Sequence, residues 1–417
     1  MTDSLPAAPP APPFRPGMLI YDRRYRSLTF QVIVFILVMS LAWWLIGNTV
    51  ENLSRLGKDI DFGFLFNRAG YDIPQQLIPY DSDDTHLRAA VVGLLNTLLV
   101  SALGCIAATL LGITAGVLRL SRNWLFARLM TIYVETFRNI PLLLWILIIY
   151  AVFTEITPAP RAYQGEDGRQ LILGLIAPTN RYTAIPAIVA EHSPGVLELG
   201  RIHVPWLAIM FIGLLIAAVV IRSAINSRAR RIQGRTGRRP VTWWINLALF
   251  AVPPVVLWQV FGLHLELPAL AGFNFKGGIS VDNSLVVLWL ALTLYTGAFI
   301  AEIVRAGILA VSRGQTEAAY SLGLGPRQTM NLVILPQALR VIVPPLISQY
   351  LNLTKNSSLA IAVGYMDLRG TLGGTTVNQT GRELEGILLM MLVYLAISLI
   401  ISGVMNLYNR RVTLKER

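Results

Sequence analysis

Apolar residues gather into eight long runs, roughly 28–50, 89–118, 125–153, 204–221, 241–261, 284–308, 343–363 and 386–408, with polar connections between them. A helix rising 1.5 Å per residue needs about 20 residues to cross a hydrocarbon core of roughly 30 Å, and the runs are close to that length. Barrel strands would instead show alternating segments of about ten residues. The pattern predicts an all-α polytopic membrane helix bundle of about 8 transmembrane helices, since only helices and closed barrels satisfy their backbone in lipid. The fifth run is interrupted by Pro253 and Pro254. The second carries Gly104, Ala108, Gly112 and Gly116 at a spacing of four. That spacing makes one face small enough for a neighbouring helix backbone to approach closely, although ordinary glycine enrichment in membrane helices gives the same composition.

The connections alternate in charge. YDRRYR before the first run holds Arg23, Arg24 and Arg26, and LRLSRN after the second holds Arg119 and Arg122. RSAINSRARRIQGRTGRRP after the fourth holds seven arginines and no acid. Basic flanks face the cytoplasm. The connection 51–87 carries Asp59, Asp61, Asp72, Asp81, Asp83 and Asp84, and 154–203 is long, rich in Pro and Gly, and mixed in charge. Both would face the periplasm. An even number of spans then places both termini in the cytoplasm, in agreement with the basic tail NRRVTLKER.

Composition supports lipid as the solvent: 54% of residues are hydrophobic and 14% charged, with a mean hydropathy of +0.57, whereas a soluble chain carries about 25% charged residues. The net charge of +12 lies mainly in the short connections, so it points to the membrane and not to nucleic acid. One cysteine, Cys105, leaves no disulfide framework or thiol metal site. The N-terminal MTDSLPAAPPAPPFRPG has no basic or apolar signal region and reads as a disordered tail, 1–27. His86, His192, His203 and His264 all fall in connections predicted to lie outside, and no H-E-x-x-H occurs. No G-x-x-x-x-G-K-[ST] occurs either, so this chain is not expected to bind ATP-Mg through a P-loop, to be an enzyme or to hold a cofactor.

Between the sixth and seventh runs lies VSRGQTEAAYSLGLGPRQTMNLVILPQALRVIVPP. Gly314, Glu317, Ala318 and Ala319 fall in a helix-forming stretch, Gly323 with Gly325 and Pro326 can end it and turn the chain, and 327–335 can begin a second short helix. The stretch Glu317-Ala318-Ala319, then Gly323, then Val333 to Pro336 resembles, at the family's spacing, the "EAA" loop of ATP-binding-cassette (ABC) importer permeases. The resemblance implies a cytoplasmic coupling helix within 311–340 that docks on an ATPase subunit.

Further stretches resemble the polar amino acid permeases of the histidine/glutamate/glutamine type. They are GLLNTL from Gly93, ETFRNIP from Glu135, AEIVRAG from Ala301 and LTKNSSLA from Leu353. This resemblance spans 87–153 and 284–417, about half of the chain, and implies a type I ABC importer permease. The first helix with its loop (28–86) and the insertion 154–283, with two further helices, depart from the common core. They resemble the larger general L-amino acid or glutamate/glutamine/aspartate permease subunits of Gram-negative bacteria. The resemblance implies an inner-membrane location, a second homologous permease subunit, two ATPase subunits and a periplasmic substrate-binding protein.

Ionisable residues within spans are costly and mark candidates. Glu135 with Arg138, and Glu302 with Arg305, lie three apart and are expected to meet on one helix face. Two readings are open for them: a pathway that binds an amino acid's carboxylate and ammonium, or an ion pair fixing helix to coupling loop. Lys355, with Asn356 and Ser357, is either a pathway cation or a bundle-internal pair. The alternative function is a secondary transporter driven by an ion gradient.

Overall fold

The computed structural model describes residues 17–412 except 56, 58, 59, 166, 167, 200, 201 and 239. Most of the expected disordered tail lies outside the described residues. Its described part is helical: α1 is Met18–Tyr21 and α2 is Arg23–Arg55, so the first helix begins several residues earlier than its apolar run. Arg and Leu are good helix formers, which carries α2 beyond the greasy stretch. The chain divides into Met1–Gly63 and Phe64–Arg417. In the first unit, α2 exposes the consecutive residues Phe35, Ile36, Leu37 and Val38, which face all round the helix, as suits a helix solvated by lipid.

The second unit begins with a loop that seats Ile73 and Tyr80 against α3 (His86–Leu118). Thr85 caps that helix by accepting from Arg88 N–H. The third apolar run is not one straight span. It forms α4 (Trp124–Asn139) and α5 (Leu142–Ile156), bent by 110° at Ile140 and Pro141. Pro141 supplies no N–H and forces Ile140 into an extended conformation, φ −108° and ψ 135°. Seven described helices are long and apolar enough to cross a membrane, and the bent pair makes eight.

The insertion adds strands that hydropathy did not predict. After α5 come β1 (Ala177–Pro178), β2 (Tyr182–Ile185), β3 (Ala187–Ala190), β4 (Val196–Leu199) and β5 (Ile202–Pro205). The apolar helices α6 (Trp206–Thr236) and α7 (Trp243–Val260) follow, then β6 (Leu263–Glu266), β7 (Ala269–Ala271), β8 (Asn274–Lys276) and β9 (Ile279–Asp282). β2 pairs antiparallel with β9 from Tyr182↔Asp282 to Ile185↔Ile279, and β3 with β6 from Ala187↔Glu266 to Ala190↔Leu263. α7 stays helical through Pro253 and Pro254.

α8 (Asn283–Leu309), capped by Asp282, runs through the centre of the bundle against α3, α4 and α5. Leu288, Leu292 and Ile300 are fully buried in the largest apolar cluster. The small-residue face of α3 is what brings it close. A Cβ on Gly112 would lie 2.6 Å from Ile300 Cβ, and one on Gly116 2.6 Å from the Ala301 carbonyl oxygen. The four-residue spacing is therefore a packing face, not incidental enrichment. Past α8 come α9 (Arg313–Ser321), α10 (Pro326–Thr329) and α11 (Leu335–Asn356). A π turn over Met330–Ile334 joins the last two, so the expected second short helix is continuous with the seventh span. A loop with α12 (Leu368–Gly370) and α13 (Val377–Thr380) leads to α14 (Glu383–Val412).

Candidate functional site: the coupling loop and its ion-pair cluster

α9 ends where the sequence places the turn. Gly323 takes φ +76°, Leu324 N–H donates to Ala319 O at 3.1 Å and Gly323 N–H to Tyr320 O at 2.9 Å. These are the two bonds of a Schellman C-cap, which only a residue comfortable in the left-handed region closes without strain. Gln328 Oε1 accepts from Gly325 N–H at 3.1 Å and opens α10. Ala319 faces inward and is buried, whereas Gly314, Glu317 and Ala318 are exposed. Around them Tyr320, Leu322 and Leu332 are exposed apolar residues. Gln337 Nε2 donates to Gln315 Oε1 at 3.2 Å and ties α9 to the first turn of α11, which Pro336 opens.

Just inside the bundle from α9, the carboxylate of Glu302 gathers three guanidinium groups: Arg119 at 2.5 Å, Arg305 at 2.6 Å and Arg138 at 3.6 Å. The Glu302–Arg305 pair meets on one face as expected. Glu135 and Arg138 do not: Glu135 lies 3.6 Å from Arg119, and Arg138 turns to Glu302 and to the face of Phe299, 5.4 Å from its centroid. Because α4 lies across α8, the partner on the neighbouring helix is nearer than the one on its own. Three helices, α3, α4 and α8, are thus joined by one charge cluster. Arg119 was read from sequence only as an orientation signal; its position at the C-cap of a span was the available clue to this role.

Lys355, Asn356 and Ser357 are elsewhere. They end α11, about 30 Å along its axis from Leu335 at 1.5 Å per residue, so they do not share a site with the arginine cluster. Ser357 Oγ donates to Thr354 O at 2.8 Å and is buried. Lys355 is exposed, and among the described residues it has no ion-pair partner. The bundle-internal pair considered for it does not form.

A buried carboxyl that sequence reasoning missed lies near that end, in the loop after α11. Asp367 Oδ1 accepts from Gly370 N–H at 2.8 Å and Oδ2 from the Tyr394 hydroxyl at 3.1 Å. Desolvation by burial pushes its pKa up to about 7, against the opposing effect of these donors. The raised value means that the neutral form is preferred in the folded state. Stability from this group is therefore complete below the ordinary aspartate range and is lost as pH rises through about 7. Melting temperature in detergent should fall between pH 5 and pH 8, and Asp367→Asn should flatten that slope; an unchanged slope in the variant would exclude Asp367 as its source.

The chain matches the model of the family described as "Binding-protein-dependent transport system inner membrane component" over residues 108–233 and 228–414. It is 56% identical over 425 residues to the glutamate/glutamine/aspartate/asparagine transport system permease protein BztB of Rhodobacter capsulatus, covering 99% of this chain and 100% of that protein. The general L-amino acid transport system permease protein AapQ of Rhizobium johnstonii is 42% identical over 407 residues, covering 97% and 96%. The putative amino-acid ABC transporter permease protein YhdX of Escherichia coli is 46% identical over 395 residues, covering 94% and 95%. The alignments run nearly end to end and so take in the first helix and the insertion. Membership decides against the ion-gradient alternative: the chain belongs to the binding-protein-dependent transport system inner membrane components, as a multi-span permease.

Proposed function

We propose that this chain is the permease subunit of an ATP-driven importer of amino acids, of the glutamate/glutamine/aspartate or general L-amino acid type, in the bacterial inner membrane. The near end-to-end likeness to permeases named for those substrates carries the reading. Both termini and the α9–α11 connection face the cytoplasm, and the strands of the insertion face the periplasm. The exposed Glu317 face of α9 docks on one of two ATPase subunits, which bind ATP-Mg. A periplasmic substrate-binding protein delivers the amino acid to the opposite side. A second homologous permease, related but different, completes the pair.

Within the bundle, the Glu302 cluster holds the end of α8 above the coupling loop. Four of the pathway candidates, Glu135, Arg138, Glu302 and Arg305, act there as a clamp, because each carboxylate is already engaged by arginine. Lys355, exposed and unpaired among the described residues, with Asn356 and Ser357 beside it, serves the substrate carboxylate.

Uptake of labelled glutamate, glutamine, aspartate and a neutral amino acid into proteoliposomes holding the whole complex tests this. Accumulation should need internal or external ATP on the ATPase side and should persist with ionophores present. Lys355→Ala should raise the half-saturating concentration about tenfold, the effect of losing one charge-assisted bond. Uptake that collapses with the ion gradient would sink the function, and a silent Lys355→Ala would remove the residue from the pathway.

A further inference from the structure

Residues 206–260 contain seven arginines and no Asp, Glu or Lys. Five of those arginines lie on α6: Arg222, Arg228, Arg230, Arg231 and Arg235. Among the described residues none of the five has a carboxylate within ion-pair distance, and Arg228, Arg230, Arg231 and Arg235 are all exposed. An uncompensated charge row of this density needs a counter-charge from outside the chain.

The packing register of the hairpin says where that row sits. The Arg222 guanidinium lies 5.8 Å from the centroid of the Phe250 ring on α7. Counting seven residues from each along the antiparallel helices, about 10 Å at 1.5 Å per residue, sets Ala229 level with Trp243. Ala229 is buried, while Trp243 and Trp244 open α7 with exposed rings. Paired tryptophans at the end of a span lie at headgroup depth. Arg228, Arg230 and Arg231 therefore ring α6 at the depth of the lipid phosphates, and Arg235 stands about 9 Å further out, within a Debye length. Arg228, Arg231 and Arg235 are spaced i, i+3, i+7, which puts them on one face. Below them the hairpin exposes Ile216, Val219, Val220 and Leu247, an apolar flank for acyl chains.

We infer that the arginine end of the α6–α7 hairpin is a docking surface for anionic phospholipids, whose phosphate groups are held by Arg228, Arg230, Arg231 and Arg235. Arginine is suited to this because its planar fork binds two phosphate oxygens at once. By span order the surface lies on the same membrane face as α9; in the orientation proposed above, that is the cytoplasmic leaflet. The lipid assignment itself does not depend on which substrate is carried.

The test uses the full complex reconstituted in nanodiscs of phosphatidylcholine with one-fifth phosphatidylglycerol, compared with Arg228→Gln/Arg231→Gln/Arg235→Gln. Lipid retained by the protein after detergent extraction is counted by native mass spectrometry. Wild type should retain phosphatidylglycerol over phosphatidylcholine, and the variant should lose that preference. Affinity should fall about fivefold per arginine removed, on the order of 100-fold for three, and inorganic phosphate should not compete at millimolar concentration. Equal retention by a well-folded, monodisperse variant would overturn the proposal. So would a variant that keeps its lipid and sheds an ATPase subunit, because the surface would then belong to a protein partner. Failure of amino acid uptake in either protein would bear on the function and leave the lipid count readable.

Discussion

Glu317→Lys is expected to reduce ATP-driven uptake by about 100-fold or more while the chain remains folded and membrane-inserted. Glu317 sits on the outer face of α9 and is exposed, so its replacement removes no packing inside the subunit. What changes, on the docking proposed above, is the sign of the charge that α9 offers to the ATPase subunit. The loss of a charge-assisted bond, about 1.5–3 kcal/mol, is joined by like-charge repulsion across the interface. Size-exclusion chromatography of the complex, together with substrate-stimulated ATP hydrolysis, separates two causes of failure. A complex that falls apart assigns Glu317 to docking; an intact complex with uncoupled hydrolysis assigns it to force transmission. Wild-type uptake in the charge-reversed protein would show that α9 is a passive loop.

Gly116→Leu should be the most damaging change to the bundle itself. The added Cβ would stand 2.6 Å from the Ala301 backbone oxygen and 2.9 Å from Val304 Cβ. Neither backbone nor a branched carbon on a central helix can swing aside, so α3 and α8 must separate along their contact. Overpacking of this kind costs about 1–3 kcal/mol or more. Gly116→Ala should lower the melting temperature measurably, and Gly116→Leu should leave little monodisperse protein. Gly213→Leu on α6, where nothing lies within 4 Å, is the control and should be tolerated. If Gly116→Leu melted like wild type, the close approach of α3 to α8 would be wrong.

The parts of this structure that could be read in advance are those with a one-dimensional signature. Spans announce themselves by apolar length, and the turn at Gly323 by a residue that tolerates positive φ. The break at Pro141 was also visible as a proline, yet the run looked continuous because hydropathy records solvent and not direction. The strands of the insertion are only two to four residues long, too short for alternation to announce them, and the pair that closes the insertion joins positions far apart in sequence, as Thr183 meets Val281; no local alternation reports such a partner. The charge pairs failed in part for the same reason. Spacing along α4 suggested Glu135 with Arg138, but the crossing of α4 over α8 is a tertiary fact. Asp367 was missed because its burial is made by helices far away in sequence, Tyr394 on α14 among them.

The β2–β9 ribbon carries an evolutionary implication. Its last pair, Ile185↔Ile279, brings the two ends of everything between them side by side, and Asn283 clasps the base by accepting from the Thr183 hydroxyl at 2.9 Å and donating to Thr179 O at 2.7 Å. Residues 186–278 leave and rejoin the rest of the chain through this stalk, and beside it Phe273 and Phe275 rest against Arg161 and Tyr163. A stretch carrying two whole spans is therefore grafted like a scion onto a stem, free to be exchanged, lengthened or pruned back to a tight turn without re-threading the helices that move the cargo.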